Sequence, residues 1–250
     1  MHDANPVSTP LDLSIKLEAK EPNTEPLFQF GNFTSLTGLL MYAAIGTRPN
    51  IVYAMNKLCS FNNNPDLAHW TTAKCVLRYL KGTKESGITY RRKGNQGKFY
   101  GYADASFSTN HDLSSMSGNV FLLNGGAIMW SSKREMTPAL STAEAEFTSM
   151  ARAEKDVIWL RNLYTEIGYK PKDATIFNGD NKSVIAIIMN AQFHKWAKYF
   201  DLNNLHMRKT IKIGWLMLIY CLTNEMTADI LTKALPHQKH ILHFEGLGLR

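Results

Sequence analysis

The sequence has few cysteines, and it lacks an apolar segment long enough to cross a membrane. Its three cysteines, Cys59, Cys75 and Cys221, form no C-x-x-C or metal-ligand spacing, which predicts reduced thiols rather than a disulfide framework. The longest apolar run, residues 213–222, is about half the length of a bilayer-spanning helix. The first residues lack the pattern of a secretory signal peptide. These absences predict an intracellular protein, cytoplasmic or nuclear, with no membrane partner.

Internal repeats and low-complexity runs are also missing, so the 250 residues suit one large or two small globular domains. Positive charge, by contrast, is concentrated in one region. Residues 31–95 contain nine Lys or Arg and only two Asp or Glu, in a chain whose net charge is +7. Such a segment suits a polyanionic partner such as nucleic acid. A generic solvated basic surface is the alternative.

The first 95 residues divide into two segments by their pattern. Residues 1–30 contain four of the nine prolines and predict an extended lead-in. Residues 31–95 predict three helices, the last of them capped by Asp66. On that helix Lys74, Arg78 and Lys81 follow the spacing i, i+4, i+7, which places them in one stripe that can follow a phosphate backbone.

From residue 96 the pattern changes to strands that alternate with helices. Asn124-Gly125-Gly126 is a strong hairpin turn signal between two of the strands. The order of elements predicts an α/β domain at 96–236, with a mixed five-stranded sheet flanked by helices, and a C-terminal tail at 237–250. The strands are predicted at 99–105, 118–123, 127–131, 174–178 and 215–222, and the helices at 141–167, 181–190, 202–211 and 227–235.

The longest predicted helix begins with a capping signal. Ser141 and Glu144 have the S-x-x-E spacing of a capping box, and Leu140 precedes them where a hydrophobic staple would lie. Glu146 falls on the apolar stripe of this helix, where a carboxylate is costly unless a cation meets it. A Glu at the rim of the stripe, with its carboxylate in water, is the alternative.

Four acids stand out by their position. Asp104 lies at the end of the first predicted strand, Glu146 on the first turn of the long helix, Asp180 after the fourth strand, and Asp229 on the first turn of the last helix. Ligand sites in α/β sheets collect at strand ends and adjoining helix termini, so all four can converge.

Each acid also has a structural interpretation when it is taken alone. Asp104 suits a turn, Asp180 an N-cap, and Asp229 a favourable charge at a helix N-terminus. Four carboxylates that meet repel one another unless divalent cations neutralise them, and hard oxygen ligands select Mg²⁺ or Mn²⁺. Two such ions, about 4 Å apart, can activate a water and stabilise the leaving oxygen of a phosphodiester.

A set of short motifs extends along almost the whole chain. They are residues 5–11, 46–51, 68–70 and 76–83, followed by 102–105, 117–133, 140–146, 179–183 and 228–235. Together they resemble the C-terminal part of copia-type retrotransposon Pol polyproteins. The first motif resembles the end of the reverse transcriptase, and the next three resemble the segment that joins it to ribonuclease H. The last five match the ribonuclease H domain in order and spacing.

The resemblance implies a ribonuclease H-like fold and cleavage of the RNA strand of an RNA–DNA hybrid. It assigns Asp104, Glu146, Asp180 and Asp229 as the catalytic acids and ligands of two Mg²⁺ or Mn²⁺ ions, with no small-molecule cofactor. Residues 193–198 resemble a family segment rich in His and basic residues, which adds Lys198 to the predicted substrate contacts; a solvated loop is the alternative. The implied partners are the hybrid and the polymerase domain of the same polyprotein. No DNA synthesis is expected, because the paired-aspartate motif of the polymerase is missing.

The sequence departs from the family pattern at three places. Ser106 stands where a second acid is frequent, Gly179 where a small or sulfur side chain is common, and 215–222 is apolar on both faces. These departures favour a second hypothesis, a catalytically silent remnant that keeps the fold and a nucleic-acid-binding surface. A different nuclease on the same fold, such as an integrase or resolvase, is a third hypothesis, against which the matches around Glu146 and Asp229 argue.

Overall fold

A five-stranded mixed sheet forms the centre of the protein. The computed structural model describes residues 3–18, 31–91, 97–107, 115–135, 139–190 and 198–250. The strands lie in the order β3-β2-β1-β4-β5, with β1, β2 and β3 antiparallel and β1, β4 and β5 parallel, so the predicted sheet is confirmed. Their bounds are β1 Phe99–Ser106, β2 Met116–Leu123, β3 Gly126–Arg134, β4 Thr175–Gly179 and β5 Leu216–Tyr220.

The hairpin between β2 and β3 has the predicted tight turn. Asn124 and Gly125 have φ angles of 52° and 83°, and Leu123 pairs directly with Gly126. Positive φ at both central residues is the requirement of the hairpin turn that follows the twist of the strands. The turn therefore explains how the antiparallel half of the sheet is built from local sequence.

Helices cover both faces of the sheet. Three precede it, as predicted, and a 3₁₀ turn, Pro49–Ile51, leads into the second. Asp66 caps the third by accepting a hydrogen bond of 2.9 Å from the His69 N–H. The α-helices are α1 Gly31–Gly46, α2 Val52–Cys59, α3 Leu67–Gly82, α4 Thr142–Glu166, α5 Lys182–Met189, α6 Lys198–Lys212 and α7 His237–Gly246.

Strand β2 contributes to a core on each face of the sheet. Val120 and Leu122 are buried against α1, α2, α3 and the C-terminal residues, whereas Phe121 faces α4 and α5 and stacks on Phe177 at 6.2 Å. Side chains alternate between faces along a strand, so a strand covered on both sides is apolar throughout. The helical segment 31–82 thus shares a core with the sheet, and the domain boundaries read from the sequence remain a prediction.

The C-terminal 25 residues differ from the predicted elements. The helix expected at 227–235 is a short 3₁₀ helix, Thr227–Leu231, and the expected tail forms α7. The chain end also exchanges two backbone hydrogen bonds between Gly87 and Arg250, at 2.9 and 3.1 Å. Local pattern missed these elements because α7 is held by residues far away in the sequence, such as Tyr79, whose hydroxyl lies 2.9 Å from Nε2 of the buried His240.

Strand β5 lies at one edge of the sheet. Leu216 is buried, but Met217 and Ile219 on the other face are 51% and 37% exposed. The sequence predicted two apolar faces for this strand, and one of them faces solvent in the described structure. An exposed apolar edge strand can pair with another chain, so we expect the isolated chain to aggregate.

Candidate active site

Asp104 lies near the end of the central strand β1 and is almost fully buried. It pairs with Gly118 of β2, and its backbone carbonyl accepts a hydrogen bond of 2.7 Å from the Ser149 hydroxyl of α4. The Thr232 hydroxyl donates to the Asp104 carboxylate. A Cβ atom at Gly118 would lie 2.7 Å from Cγ2 of Thr232. The glycine therefore allows the segment after the 3₁₀ helix to approach β1 closely enough for this bond.

Glu146 reaches the same end of β1 from near the start of α4. Ser141 caps this helix as predicted, since its hydroxyl accepts from the Glu144 N–H at 3.1 Å. In the predicted capping box the Glu144 carboxylate would accept from the N–H of Ser141. It accepts instead from the N–H of Leu140, at 2.6 Å. The predicted hydrophobic staple is wrong, because the Leu140 side chain is 90% exposed. Glu146 itself is buried, which contradicts the alternative of a carboxylate in water.

Asp180 directly follows β4, which is parallel to β1. The strands are in register at Tyr102 and Asn178, so the residues two positions further along, Asp104 and Asp180, emerge at the same edge. Asn181, rather than Asp180, caps α5: its side-chain oxygen accepts from two N–H groups of the first turn, both at 3.1 Å. The carboxylate of Asp180 is therefore not used by a cap.

Three of the four predicted acids meet at this edge. Asp104, Glu146 and Asp180 each offer a carboxylate oxygen, and these atoms lie within 4.8 Å of one another. Oε2 of Glu146 is buried and has no hydrogen-bond partner among the described residues. Burial, reinforced by the charges of Asp104 and Asp180, raises the pKa of Glu146 from 4.5 to about 9. Burial likewise raises the pKa of Asp104 and of Asp180.

The fourth acid, Asp229, lies beside Asp104 and pairs with a lysine. It belongs to the 3₁₀ helix Thr227–Leu231 and is 1% exposed. The Lys233 ammonium lies 2.8 Å from Oδ1 of Asp229 and 3.7 Å from Oδ2 of Asp104. Burial raises the pKa of Asp229, and Lys233 opposes that shift. The structure thus brings three acids together as one group and places the fourth next to Asp104, with Lys233 in contact with both.

The group of three carboxylates fits a divalent cation. Its oxygen atoms are hard ligands that are desolvated and mutually repulsive, and one of them has no protein donor. An added Mg²⁺ or Mn²⁺ removes the repulsion and satisfies that oxygen. Asp104, Glu146 and Asp180 therefore form a possible acidic metal site.

The predicted substrate-binding residues have partners of their own. On α3, Nε of Arg78 donates to the carbonyl of Asn5 at 2.6 Å, and Nζ of Lys81 donates to the carbonyl of Ala4 at 2.9 Å. The Lys74 ammonium lies 5.9 Å from the centre of the Trp70 ring. Lys198 is the first residue of α6, and its side chain lies outside the described part of the structure.

Three residues of the site were missed by reasoning from the sequence: Lys233, Thr232 and Ser149. The signal for Lys233 was present, since it follows Asp229 by four residues, a spacing that favours an ion pair within one helical turn. Thr232 and Ser149 act through Asp104, which is distant in the sequence from both. No local pattern indicates such contacts.

Comparison with known proteins finds relatives among retrotransposon polyproteins. The chain is 35% identical over 255 residues to the retrovirus-related Pol polyprotein from transposon TNT 1-94 of Nicotiana tabacum. This alignment covers 100% of this chain and 19% of that protein. It is 33% identical over 236 residues to the retrovirus-related Pol polyprotein from transposon RE2 of Arabidopsis thaliana. This alignment covers 94% of this chain and 16% of that protein. No protein-family model matches the chain. Among solved structures, LC11-RNase H1 in complex with an RNA/DNA hybrid aligns with 54% of this chain and 94% of its own, at 16% identity and a TM-score of 0.42.

The sheet order, with helices on both faces, defines a ribonuclease H-like fold. The chain belongs to the copia-type retrotransposon Pol polyproteins and resembles their reverse transcriptase–ribonuclease H region, as the sequence predicted. It spans 19% of the length of the first of these two polyproteins and 16% of the second. In the described part of the chain, no helix is long and apolar enough to cross a membrane.

Proposed function

We propose that this chain is a ribonuclease H-type endonuclease that cuts the RNA strand of an RNA–DNA hybrid within a Pol polyprotein. The observation that carries the proposal is the meeting of Asp104, Glu146 and Asp180, with Asp229 beside Asp104. These acids come from four separate elements, β1, α4, the end of β4 and a 3₁₀ helix. A shared need for cations explains why so many carboxylates are buried at one edge of a sheet.

The four acids divide into two sets that share Asp104. Glu146 and Asp180 together with Asp104 would hold one ion, and Asp229 together with Asp104 would hold the second. The chemistry that such a pair would supply is activation of a water and stabilisation of the leaving oxygen of the phosphodiester. Thr232 and Ser149 fix the side chain and the backbone of Asp104, so that the shared ligand keeps one orientation.

Contacts to the hybrid are assigned to the basic stripe of α3 and to Lys198. Arg78 has five N–H donors, and its hydrogen bond to Asn5 uses one of them. Lys74 rests against Trp70. Together with Lys81 these side chains can follow one phosphate backbone, and the resulting affinity falls as salt concentration rises.

The proposal is tested with purified chain, a labelled RNA–DNA hybrid and Mg²⁺. We expect endonucleolytic cuts in the RNA strand that disappear in Asp180→Asn, because this variant removes one oxygen ligand and its charge. Ser183→Ala, a nearby substitution on α5, serves as the matched control and keeps the activity. Absence of cleavage by the folded wild type, or unchanged cleavage by Asp180→Asn, rejects the proposal.

The second candidate, a catalytically silent remnant, is favoured by the ion pair of Lys233. An ammonium already neutralises Asp229 and Asp104 in part, which is compatible with a fold that persists without metal. Isothermal titration separates the two functions. Binding of the hybrid without detectable binding of Mg²⁺ supports the remnant, whereas binding of Mg²⁺ with cleavage supports the nuclease.

A further inference from the structure

The ammonium of Lys233 forms ion pairs with both of the acids that the proposed function assigns to the second ion. It is 2.8 Å from the Asp229 carboxylate and 3.7 Å from the Asp104 carboxylate. Glu146 and Asp180, the other two members of the group of three, each place a carboxylate oxygen within 4.8 Å of one from Asp104. Asp104 is therefore shared between one position lined by three carboxylates and another that contains a lysine.

The backbone of Lys233 is held in place by hydrogen bonds, whereas its side chain is partly exposed to solvent. Its backbone N–H donates to the carbonyl of Asp229 at 3.2 Å, and the preceding residue, Thr232, is bound to Asp104. The side chain nevertheless remains 36% exposed, against 1% for Asp229 and 2% for Asp104. A lysine is a compact charge on a flexible four-carbon stem, so its ammonium can move to solvent without a change in the backbone.

The charges of the site make the two ion positions unequal. Four ionised acids with one divalent ion and the ammonium leave a single negative charge. A second divalent ion that bound while the ammonium stayed would make the site positive, and the two cations would repel at close range. The second ion therefore has to displace Lys233, and this displacement lowers its affinity.

We propose that Lys233 is a resident cation that competes with the second divalent ion for the position between Asp104 and Asp229, so that the two ions bind with unequal affinity. The inference rests on the proposed two-ion function. It makes Lys233 a positioning residue, because it acts on the ion through the two carboxylates. In the absence of the second ion, the same ammonium keeps Asp229 neutralised inside the fold.

The experiment is a titration of the full chain with Mn²⁺ alone, in which free Mn²⁺ is measured by electron paramagnetic resonance and no nucleic acid is present. We expect the wild type to bind one ion strongly and a second weakly. Lys233→Met, which has a similar length and no charge, should strengthen the weak site by at least about fivefold, the lower end of typical couplings between sites. The strong site should keep its affinity.

Two further variants separate competition from a general change of charge. Lys233→Arg keeps the positive charge and should keep the second site weak. Lys182→Met removes a positive charge two residues after Asp180 in the sequence. The Lys182 ammonium lies 4.5 Å from the centre of the Tyr220 ring, and this variant should leave the weak site unchanged. Lys233→Gln replaces Lys233→Met, with the same expectation, if circular dichroism shows that the methionine variant does not fold.

The outcomes distinguish the inference from the function on which it rests. Two ions in the wild type, with an unchanged or weaker second site in Lys233→Met, overturn the role of Lys233 and leave the nuclease proposal standing. An equal gain in Lys182→Met also overturns it, since the effect is then not specific to the position. A folded wild type that binds no Mn²⁺ overturns both.

Discussion

The side chain of Met150 occupies the space in which a side chain at Gly179 would begin. A Cβ atom added to this glycine would clash with Cε of Met150, which is fully buried between α4 and β4. The family resemblance led us to expect a small or sulfur side chain before Asp180. In this chain the side chain of Met150, from the neighbouring helix α4, fills the space that a side chain at position 179 would occupy. Gly179 and Met150 are therefore complementary in size, and they pack next to Asp180.

Replacement of Gly179 by alanine should destabilise the protein by about 1–3 kcal/mol, the usual cost of added volume in a packed core. The clashing atom is the terminal methyl group of a flexible side chain, so Met150 can shift, and the cost should lie near the lower end of this range. The measurement is urea unfolding followed by circular dichroism. Gly38→Ala on α1 is the control: its added Cβ meets no atom within 4 Å, so this variant should be neutral or slightly stabilising.

The pair can be tested further by a double-mutant cycle. Gly179→Ala and Met150→Ala should together cost less than the sum of their separate effects, by at least about 0.5 kcal/mol, because the shortened side chain makes room for the new methyl group. Additive effects would show that the two residues do not compete for the same space.

The buried imidazole of His240 should make the protein less stable in mild acid. Burial lowers its pKa from 6.5 to about 4 in the folded protein. Between these values the unfolded chain takes up a proton that the folded chain does not, so the free energy of unfolding should fall as the pH decreases from 6.5 to 4 and be unaffected by this group above pH 7. Urea unfolding at pH 7.5 and 5.0 measures the difference.

The variant that isolates this effect is His240→Gln, which keeps a polar group next to the Tyr79 hydroxyl but cannot be protonated. Its free energy of unfolding should fall less than that of the wild type between pH 6.5 and 4. His243, whose pKa burial also lowers to about 4, contributes equally in both proteins, and so does Glu146, whose contribution has the opposite sign. The surface substitution Gln238→Ala, on the same helix at an exposed residue that does not titrate, is the control and should leave the dependence unchanged. An equal loss of stability in acid for wild type and His240→Gln would contradict the prediction.

The elements that local sequence specifies were predicted correctly. The Asn124-Gly125 turn and the Ser141 cap depend on residues within three positions of one another, and both are observed. Asp180 and Asn181 are equally good N-caps by residue type, and only tertiary structure selects Asn181. The choice has a consequence for the site, because it leaves the Asp180 carboxylate with the other acids.

The contacts between distant segments could not be predicted. Arg78 and Lys81 have the spacing of a phosphate-binding stripe, but their bonds to Asn5 and Ala4 cross more than 70 residues of sequence. Helix α7 depends in the same way on Tyr79, 161 residues earlier. Local patterns show which face of an element is polar or apolar, and the partner that meets this face is decided by the packing of the whole chain.

Glu146 should make the metal-free protein less stable as the pH rises. Its pKa is about 9 in the folded state against 4.5 for an ordinary Glu, so between these values the folded chain keeps a proton that the unfolded chain has lost. The free energy of unfolding then falls with increasing pH, by at most about 1.4 kcal/mol per pH unit for this group. Urea unfolding in EDTA at pH 6 and 8.5 tests this.

Glu146→Gln should have a shallower dependence of stability on pH. Glu166→Gln, at the exposed end of the same helix, should behave as the wild type. Equal slopes in all three proteins would contradict the prediction.

Binding of Mg²⁺ should reverse this dependence. The ion binds the ionised carboxylate, and Glu146 holds a proton at neutral pH, so each binding event should release protons and become stronger as the pH rises. The increase in Tm caused by a fixed Mg²⁺ concentration should therefore be larger at pH 8.5 than at pH 6. Calorimetric titrations in two buffers of different ionisation enthalpy count the protons released, and Glu146→Gln should release fewer. The contrary result is an equal Mg²⁺-induced increase in Tm at both pH values, together with a binding heat that does not depend on the buffer. It would mean that Glu146 is already ionised without metal, and that burial of its carboxylate does not hold the proton in place.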